Sequence, residues 1–137
     1  MREMENATMR RLVGEARVAR LASIRPDGRP HIIPCCFAIE GDTLYSAVDT
    51  KPKSTLELRR LENVRSTPAV ALLVDHYSEA WTALWWVRLD GTAQVIEAGH
   101  ARDHALECLR EKYEQYRRDP PPGPVIMMDV TRWRAWP

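Results

Sequence analysis

The chain has 137 residues, a formal net charge of +1 at pH 7 and a hydrophobic content of 45%. This length accommodates one domain with one core, and a nearly neutral chain lacks the global field that attracts nucleic acid or a membrane surface. No apolar run approaches the roughly 18 residues of a membrane helix, and three cysteines cannot form a framework of several disulfides. We therefore expect a single-domain cytoplasmic protein, with neither nucleic acid nor a membrane as a partner.

Alternating apolar and polar residues predict a mainly β fold. Turn signatures follow the first two strands, at Arg25-Pro26-Asp27-Gly28 and at Glu40-Gly41-Asp42. We predict strands at 18–24, 31–39, 43–48, 69–76, 86–97 and 125–136, a short N-terminal helix at 4–16, a short helix after Ser54 and a longer helix at 100–118. About six antiparallel strands without βαβ alternation fit a small closed barrel with flanking helices.

Two residues within these strands predict irregular pairing. Pro34 cannot donate a hydrogen bond to a ladder, so we expect an edge position, a bulge or a wall that faces a ligand. Gly91 interrupts the strand at 86–97, where we expect a bulge or a barrel corner.

The lysines of this chain are concentrated at one point. The sequence has seventeen arginines but three lysines, and two of the three are Lys51 and Lys53. Ser54 and Glu57 form a capping-box pattern, which predicts a helix directly after these lysines. The free N–H groups and the dipole of a helix start favour an anion. We predict a phosphate site at Lys51, Lys53 and Ser54, and the alternative is a solvated loop.

The chain resembles the split β-barrel flavin and deazaflavin oxidoreductases related to pyridoxamine 5′-phosphate oxidase. An ordered series of segments carries the resemblance: RVARLASIRPDGRPHIIPCCFAI, then GDTLYSAVDTKPKSTLELRRLENVRSTPAVALLVDHY, then WVRLDGTAQVIE and the last Trp-bearing strand. Within this family, the chain is most similar to the branch that uses the deazaflavin coenzyme F-420. The resemblance implies one split β-barrel domain, a homodimer, and a cofactor bound in a groove between the two protomers.

The resemblance also implies cofactor-binding positions. One strand lies along the ring system, mainly through its backbone, and comprises His31, Ile32, Ile33, Pro34, Cys35 and Cys36. Ser46, Ala47 and Val48 match positions near the ribityl chain and phosphate, and Lys53 matches the phosphate lysine of the family. Trp86 stands where FMN-binding oxidases commonly carry a Gln. Those oxidases usually have Arg directly before the lysine, and here that position is Pro52, which favours F-420 over FMN.

The activity that the resemblance implies is hydride transfer between C5 of F-420 and an unsaturated small molecule such as an enone or quinone. Arg59, Arg60 or Arg88 could meet a polyglutamate tail of the cofactor, and solvent, His31 or Tyr45 could supply a proton. The catalytic residues are not predicted. The alternatives are an FMN-binding oxidase or reductase on the same barrel, and a non-enzymatic member that carries a cofactor or haem.

A metal site is not predicted from the sequence. His100, His104 and Cys108 fall at i, i+4 and i+8 of the predicted helix, a spacing that can supply ligands. No fourth ligand is evident beside them, so we expect an ordinary helix face.

Overall fold

Seven antiparallel strands form one sheet, which helices flank. The computed structural model describes residues 3–48 and 55–137, with side chains at all of these except 55–58. Its strands are β1 (Ala19–Ile24), β2 (Pro30–Cys35), β3 (Ala38–Glu40), β4 (Thr43–Ala47), β5 (Ala69–His76), β6 (Trp85–Ile96) and β7 (Val125–Trp136). Its helices are α1 (Asn6–Glu15), α2 (Thr55–Ser66), α3 (His100–Lys112) and α4 (Glu114–Arg118), with a 3-10 turn at Trp81–Ala83. No helix in these ranges is long and apolar enough to cross a membrane.

The strand order requires the sheet to curl. The order is β2-β1-β5-β6-β7-β4-β3, so the two end strands are β2 and β3, which are consecutive in the chain. Only Cys36 and Phe37 join them. Three Cα steps reach at most about 11 Å, so the two ends of the sheet lie close together. This confirms the predicted split β-barrel.

The strand predicted at 31–39 is two strands, and the correction has a tertiary cause. The backbone of Cys36 and Phe37 belongs to neither the β1–β2 ladder nor the β3–β4 ladder, and its polar groups hydrogen-bond to side chains instead. The Phe37 N–H donates to the Tyr113 hydroxyl at 3.1 Å, and this hydroxyl donates to the Arg17 carbonyl at 2.9 Å. The Ser46 hydroxyl donates to the Cys36 carbonyl at 3.0 Å. Cys36 and Phe37, which we call the link, thus divide the apolar run and raise the number of strands from about six to seven.

The helix predicted at 100–118 is likewise two helices. Tyr113 separates α3 from α4 with extended dihedrals of φ −115° and ψ 116°. Neither Gly nor Pro marks the break in the sequence. The phenol of Tyr113 instead reaches the link between β2 and β3, so packing against the barrel explains the break.

Two hydrophobic clusters stabilise the fold. The first fills the barrel and includes Val13 of α1; its largest buried members are Phe37, Leu44, Leu72, Leu89, Ile126 and Met128. The second lies between α3, α4 and the β3–β4 side of the sheet, and includes Tyr45, Leu109, Tyr113 and Tyr116. The second cluster therefore holds the helices against the edge that β3 forms.

The bulge predicted near Gly91 is confirmed. The register between β6 and β7 shifts between Asp90 and Gly91. A Cβ atom at Gly91 would overlap the backbone carbonyl of Asp129, so the close approach of β7 requires glycine here.

Tyr113→Phe tests the link. Loss of the hydroxyl leaves the Phe37 N–H and the Arg17 carbonyl without this partner, so we expect the free energy of unfolding to fall by about 1–3 kcal/mol. Urea denaturation at fixed protein concentration measures this change. The control is Tyr77→Phe, which alters an exposed tyrosine and should cost less than about 0.5 kcal/mol. Equal effects of the two substitutions would contradict the account.

Lys112 lies against the same link and makes stability depend on pH. Its ammonium is 3.8 Å from the centre of the Phe37 ring, and no described residue accepts a hydrogen bond from it. Burial, followed by the charge of Arg17, lowers the pKa of Lys112 from 10.5 to about 8. Between these two values the unfolded chain binds more protons, so this residue makes stability rise with pH.

Lys112→Met should remove that rise. We expect the wild type to gain stability relative to the variant between about pH 7.5 and about pH 9.5, by less than about 1 kcal/mol because water screens a half-buried charge. Denaturation of both proteins at each pH gives the difference between their free energies of unfolding. The titrations of other groups cancel in this difference. A difference that stays constant or changes sign would contradict the lowered pKa.

Candidate functional site

β2 presents an open edge. It pairs with β1 along one side, and no strand in the described part of the chain lies along its other side. His31 and Cys35 are buried, whereas Pro34 is exposed and Ile32 is 65% exposed. Pro34 thus occupies an edge strand, one of the positions predicted for it. The open edge offers backbone groups, and the exposed face offers apolar side chains, to a flat ligand.

Four cationic or titratable side chains gather beside β2. They are Arg25 at the end of β1, His31 in β2, and Arg59 and Arg60 in α2, and we call them the arginine cluster. Burial, followed by the charges of Arg25, Arg59 and Arg60, lowers the pKa of His31 below its usual value of 6.5. The imidazole is therefore mainly neutral at pH 7.

The arginine cluster contains buried nitrogens without partners. The Nε atoms of Arg25 and Arg60 and the Nδ1 atom of His31 are buried, and no described residue hydrogen-bonds to them. The His31 side chain is only 7% exposed. Buried polar atoms nearly always have partners, because an unmade hydrogen bond costs about 1–3 kcal/mol. The three nitrogens are therefore suited to the oxygens of an anionic ligand.

A groove reaches two members of this cluster, Arg25 and Arg59. It has a volume of about 310 Å³ and lies between the β1–β2 turn and α2. Its lining residues are Arg25, Pro26, Asp27, Arg59, Glu62 and Asn63. Two arginines and two carboxylates, those of Asp27 and Glu62, therefore line this groove.

A buried hydrogen bond positions α2 at this groove. The Asn63 side-chain amide donates to the Ser23 hydroxyl at 3.1 Å, and both residues are buried. Asn63 lies one turn after Arg59 and Arg60 in α2, while Ser23 lies two residues before Arg25. The bond thus fixes the two parts of the cluster relative to each other.

The predicted ring-binding strand and the predicted ribityl region meet at Cys36. Ser46 is buried and holds the Cys36 carbonyl. The Ala47 side chain instead packs in the second cluster, near α3, and Val48 packs against the first cluster. Ile33 also packs against the first cluster, facing inward.

The two adjacent cysteines differ in environment. Cys35 is buried and Cys36 is half-buried. Burial is the main cause that raises the pKa of Cys35 to about 11, so this thiol stays protonated at pH 7 and is a core residue rather than a redox group.

Other predicted site residues lie elsewhere. Trp86 is half-buried in β6 and pairs with Asp75 and Trp136, and β1 and β5 stand between β6 and β2 in the sheet. Arg88 pairs with Asp90 at 2.9 Å. Tyr45 packs in the second cluster, and its neighbour Ser46 points to the opposite face of β4. Lys51, Lys53 and Ser54 lie outside the described residues.

Arg25 is the member of the cluster that the sequence did not single out. It lies 34 positions before Arg59, and only the β1–β2 hairpin brings it to α2. No local pattern in the sequence marks this approach.

Comparison with solved structures shows the same fold in several bacteria. A conserved hypothetical protein of Mycobacterium tuberculosis has 21% identity and a TM-score of 0.78, covering 98% of this chain and 85% of that one. The heme storage protein HutZ of Vibrio cholerae has 12% identity and a TM-score of 0.74, covering 96% and 92%. An FAD binding protein of Mycobacterium smegmatis has 16% identity and a TM-score of 0.63, covering 97% and 94%.

Among curated protein sequences, none matches this chain. A family match covers nearly all of it, since residues 6–137 match the family described as Pyridoxamine 5′-phosphate oxidase. Together with the curled antiparallel sheet, this match establishes that the chain belongs to the pyridoxamine 5′-phosphate oxidase family.

Proposed function

We propose that this protein is an F-420-dependent oxidoreductase that transfers a hydride between C5 of the deazaflavin and an unsaturated small molecule, such as an enone or quinone. The observation that carries the proposal is the set of three buried nitrogens without partners beside an open edge strand. Such a site suits a cofactor that combines a flat ring with several negative charges.

The arginine cluster would hold the anionic part of the cofactor. F-420 carries a phosphate and the carboxylates of its glutamate tail, and guanidinium groups bind both in bidentate geometry. Arg25 and Arg60 would donate through their free Nε atoms. Lys51, Lys53 and Ser54 directly precede α2 in the sequence, and we assign them to the phosphate.

The ring would lie along β2, from His31 to Cys36. Ser46 supports this assignment because its bond to the Cys36 carbonyl holds the strand end in one position. The role of the protein is then to orient the ring and exclude water. His31, neutral at pH 7, would act there as a hydrogen-bond partner, which favours solvent as the proton source.

We also propose that the cofactor groove is completed in a homodimer. Two strands stand between β6, which carries Trp86, and β2 in the sheet, so a second copy would bring Trp86 to the ring. Exposed apolar side chains support such an interface, since Trp81 is 71% exposed and Tyr77, Ile32 and Trp136 are also exposed. Burial of such groups favours association.

Haem binding is a second candidate function. The M. smegmatis relative is named as an FAD binding protein, and the V. cholerae relative as a heme storage protein. In this chain, His31 offers a buried and mainly neutral imidazole, the form that ligates metals, and the nearby arginines would pair with carboxylates. FMN binding is a further alternative, which Pro52 disfavours.

Titration of the purified protein with F-420, FMN and haem, in parallel, tests which of the three cofactors it binds. We expect F-420 to bind with a dissociation constant of about 1 μM or less, because several charge-assisted hydrogen bonds form in a partly buried site. Tryptophan quenching and cofactor fluorescence report binding. FMN should bind at least about ten-fold more weakly, a difference of about 1.4 kcal/mol.

Two other outcomes would overturn the F-420 assignment. Tighter binding of FMN would assign the protein to flavin chemistry. A haem absorption band that disappears in His31→Ala, with weak F-420 binding, would favour the carrier function.

Substitution of Arg60 tests the anion site. Loss of a charged donor should weaken F-420 binding by about 10- to 100-fold in Arg60→Gln, and Lys53→Ala should have an effect of the same order. The matched control is Arg65→Gln, in the same helix, whose side chain pairs with Glu97 at 2.6 Å. It should change the affinity by less than about two-fold. Unchanged affinity in both Arg60→Gln and Lys53→Ala would refute the assignment.

A further inference from the structure

Three side chains with different ligating atoms meet between α3 and β3. The His104 Nε2–H donates to the Glu40 carboxylate at 2.9 Å, and the Cys108 Sγ lies 3.6 Å from the same nitrogen. All three ligating atoms lie within 4.8 Å of one another. We call these residues the Glu-His-Cys group.

The group is built from two rigid elements. His104 and Cys108 are four residues apart in α3, so their side chains share one helix face. Glu40 is the last residue of β3, and the second hydrophobic cluster packs α3 beside that strand. The ring of Tyr45 contacts His104 edge to face, with 5.9 Å between the ring centres. This contact orients the imidazole toward Glu40.

One separation matches that around a tetrahedral ion, whereas the 2.9 Å between His104 Nε2 and Glu40 is that of a direct hydrogen bond. Ligand atoms at zinc bond lengths of about 2.0–2.3 Å stand about 3.3–3.7 Å apart in tetrahedral geometry. The distance of 3.6 Å between His104 Nε2 and Cys108 Sγ already lies in this range. Glu40 is exposed, so its carboxylate can turn toward the thiol without disturbing the core.

The surrounding charge favours a cation. Besides Glu40, the charged side chains that act on His104 are Glu107 and Glu111 of the same helix, and Asp129 of β7 acts with Glu40 on the adjacent Tyr45. The group also combines imidazole, thiol and carboxylate, the three ligand types that zinc accepts.

We propose that Glu40, His104 and Cys108 bind a zinc ion, which joins α3 to the edge strand β3. Three protein ligands leave a fourth position for water. Binding releases to solvent the thiol proton of Cys108 and the Nε2 proton that His104 shares with Glu40, while the Nδ1–H of the imidazole stays in place and no oxidation state changes. His100, one turn earlier on the helix, is not needed as a ligand, because Glu40 supplies the third one.

Cobalt and zinc titrations test the site, on protein freed of any polyhistidine tag and of bound metal. We expect one Co²⁺ per chain, with a near-ultraviolet thiolate-to-cobalt charge-transfer band that Zn²⁺ abolishes by displacement. Cys108→Ser should remove the band and weaken zinc binding by at least about ten-fold, and Glu40→Gln should weaken it by a similar factor, because each loses a direct ligand.

Matched controls separate ligation from general attraction. Cys36→Ser removes a thiol outside the group and should keep the band, and Glu107→Gln removes a nearby charge that is not a ligand and should change the affinity by less than about three-fold. Zinc should also raise the melting temperature of the wild type but not of Cys108→Ser. The proposal is overturned if no saturable binding of one ion per chain occurs, or if Cys108→Ser retains the band.

Discussion

A two-residue link between the opposite ends of a seven-stranded sheet determines the shape of this protein. Because only Cys36 and Phe37 separate β2 from β3, the sheet must curl until its ends approach each other. The link leaves its backbone groups outside any ladder, and the hydroxyls of Tyr113 and Ser46 bind them instead. The link also brings β2, which has an open edge, close to β3, against which the second cluster packs α3, so both proposed binding sites lie at the two sheet ends that the link joins.

The open edge and the arginine cluster together explain how a nearly neutral protein could bind a charged cofactor. The net charge is +1, yet Arg25, Arg59 and Arg60 act on one buried imidazole. Clustered cations and unpartnered nitrogens destabilise the free protein. An anionic ligand would neutralise the cations and accept hydrogen bonds from the nitrogens. Such a cost is expected at a binding site rather than in a purely structural core.

Local patterns predicted the elements, while long-range contacts could not be read from them. β5 and β7 have the predicted bounds, since a buried apolar run marks β5 and the proline-rich segment at 120–124 precedes β7. The breaks at Phe37 and Tyr113 escaped prediction because the two residues lie 76 positions apart and bind each other. Arg25 reaches α2 through a hairpin, and Glu40 reaches His104 across 64 positions. The lysine pattern at 51–53 was visible in the sequence but falls outside the described residues.

A crystal structure of the protein with F-420 bound would test the central claim most directly. We expect phosphate or carboxylate oxygens within hydrogen-bond distance of the Arg60 Nε and the His31 Nδ1 atoms, with the ring along the open edge of β2. A cofactor bound at another surface, with these nitrogens still without an anionic partner, would contradict the account.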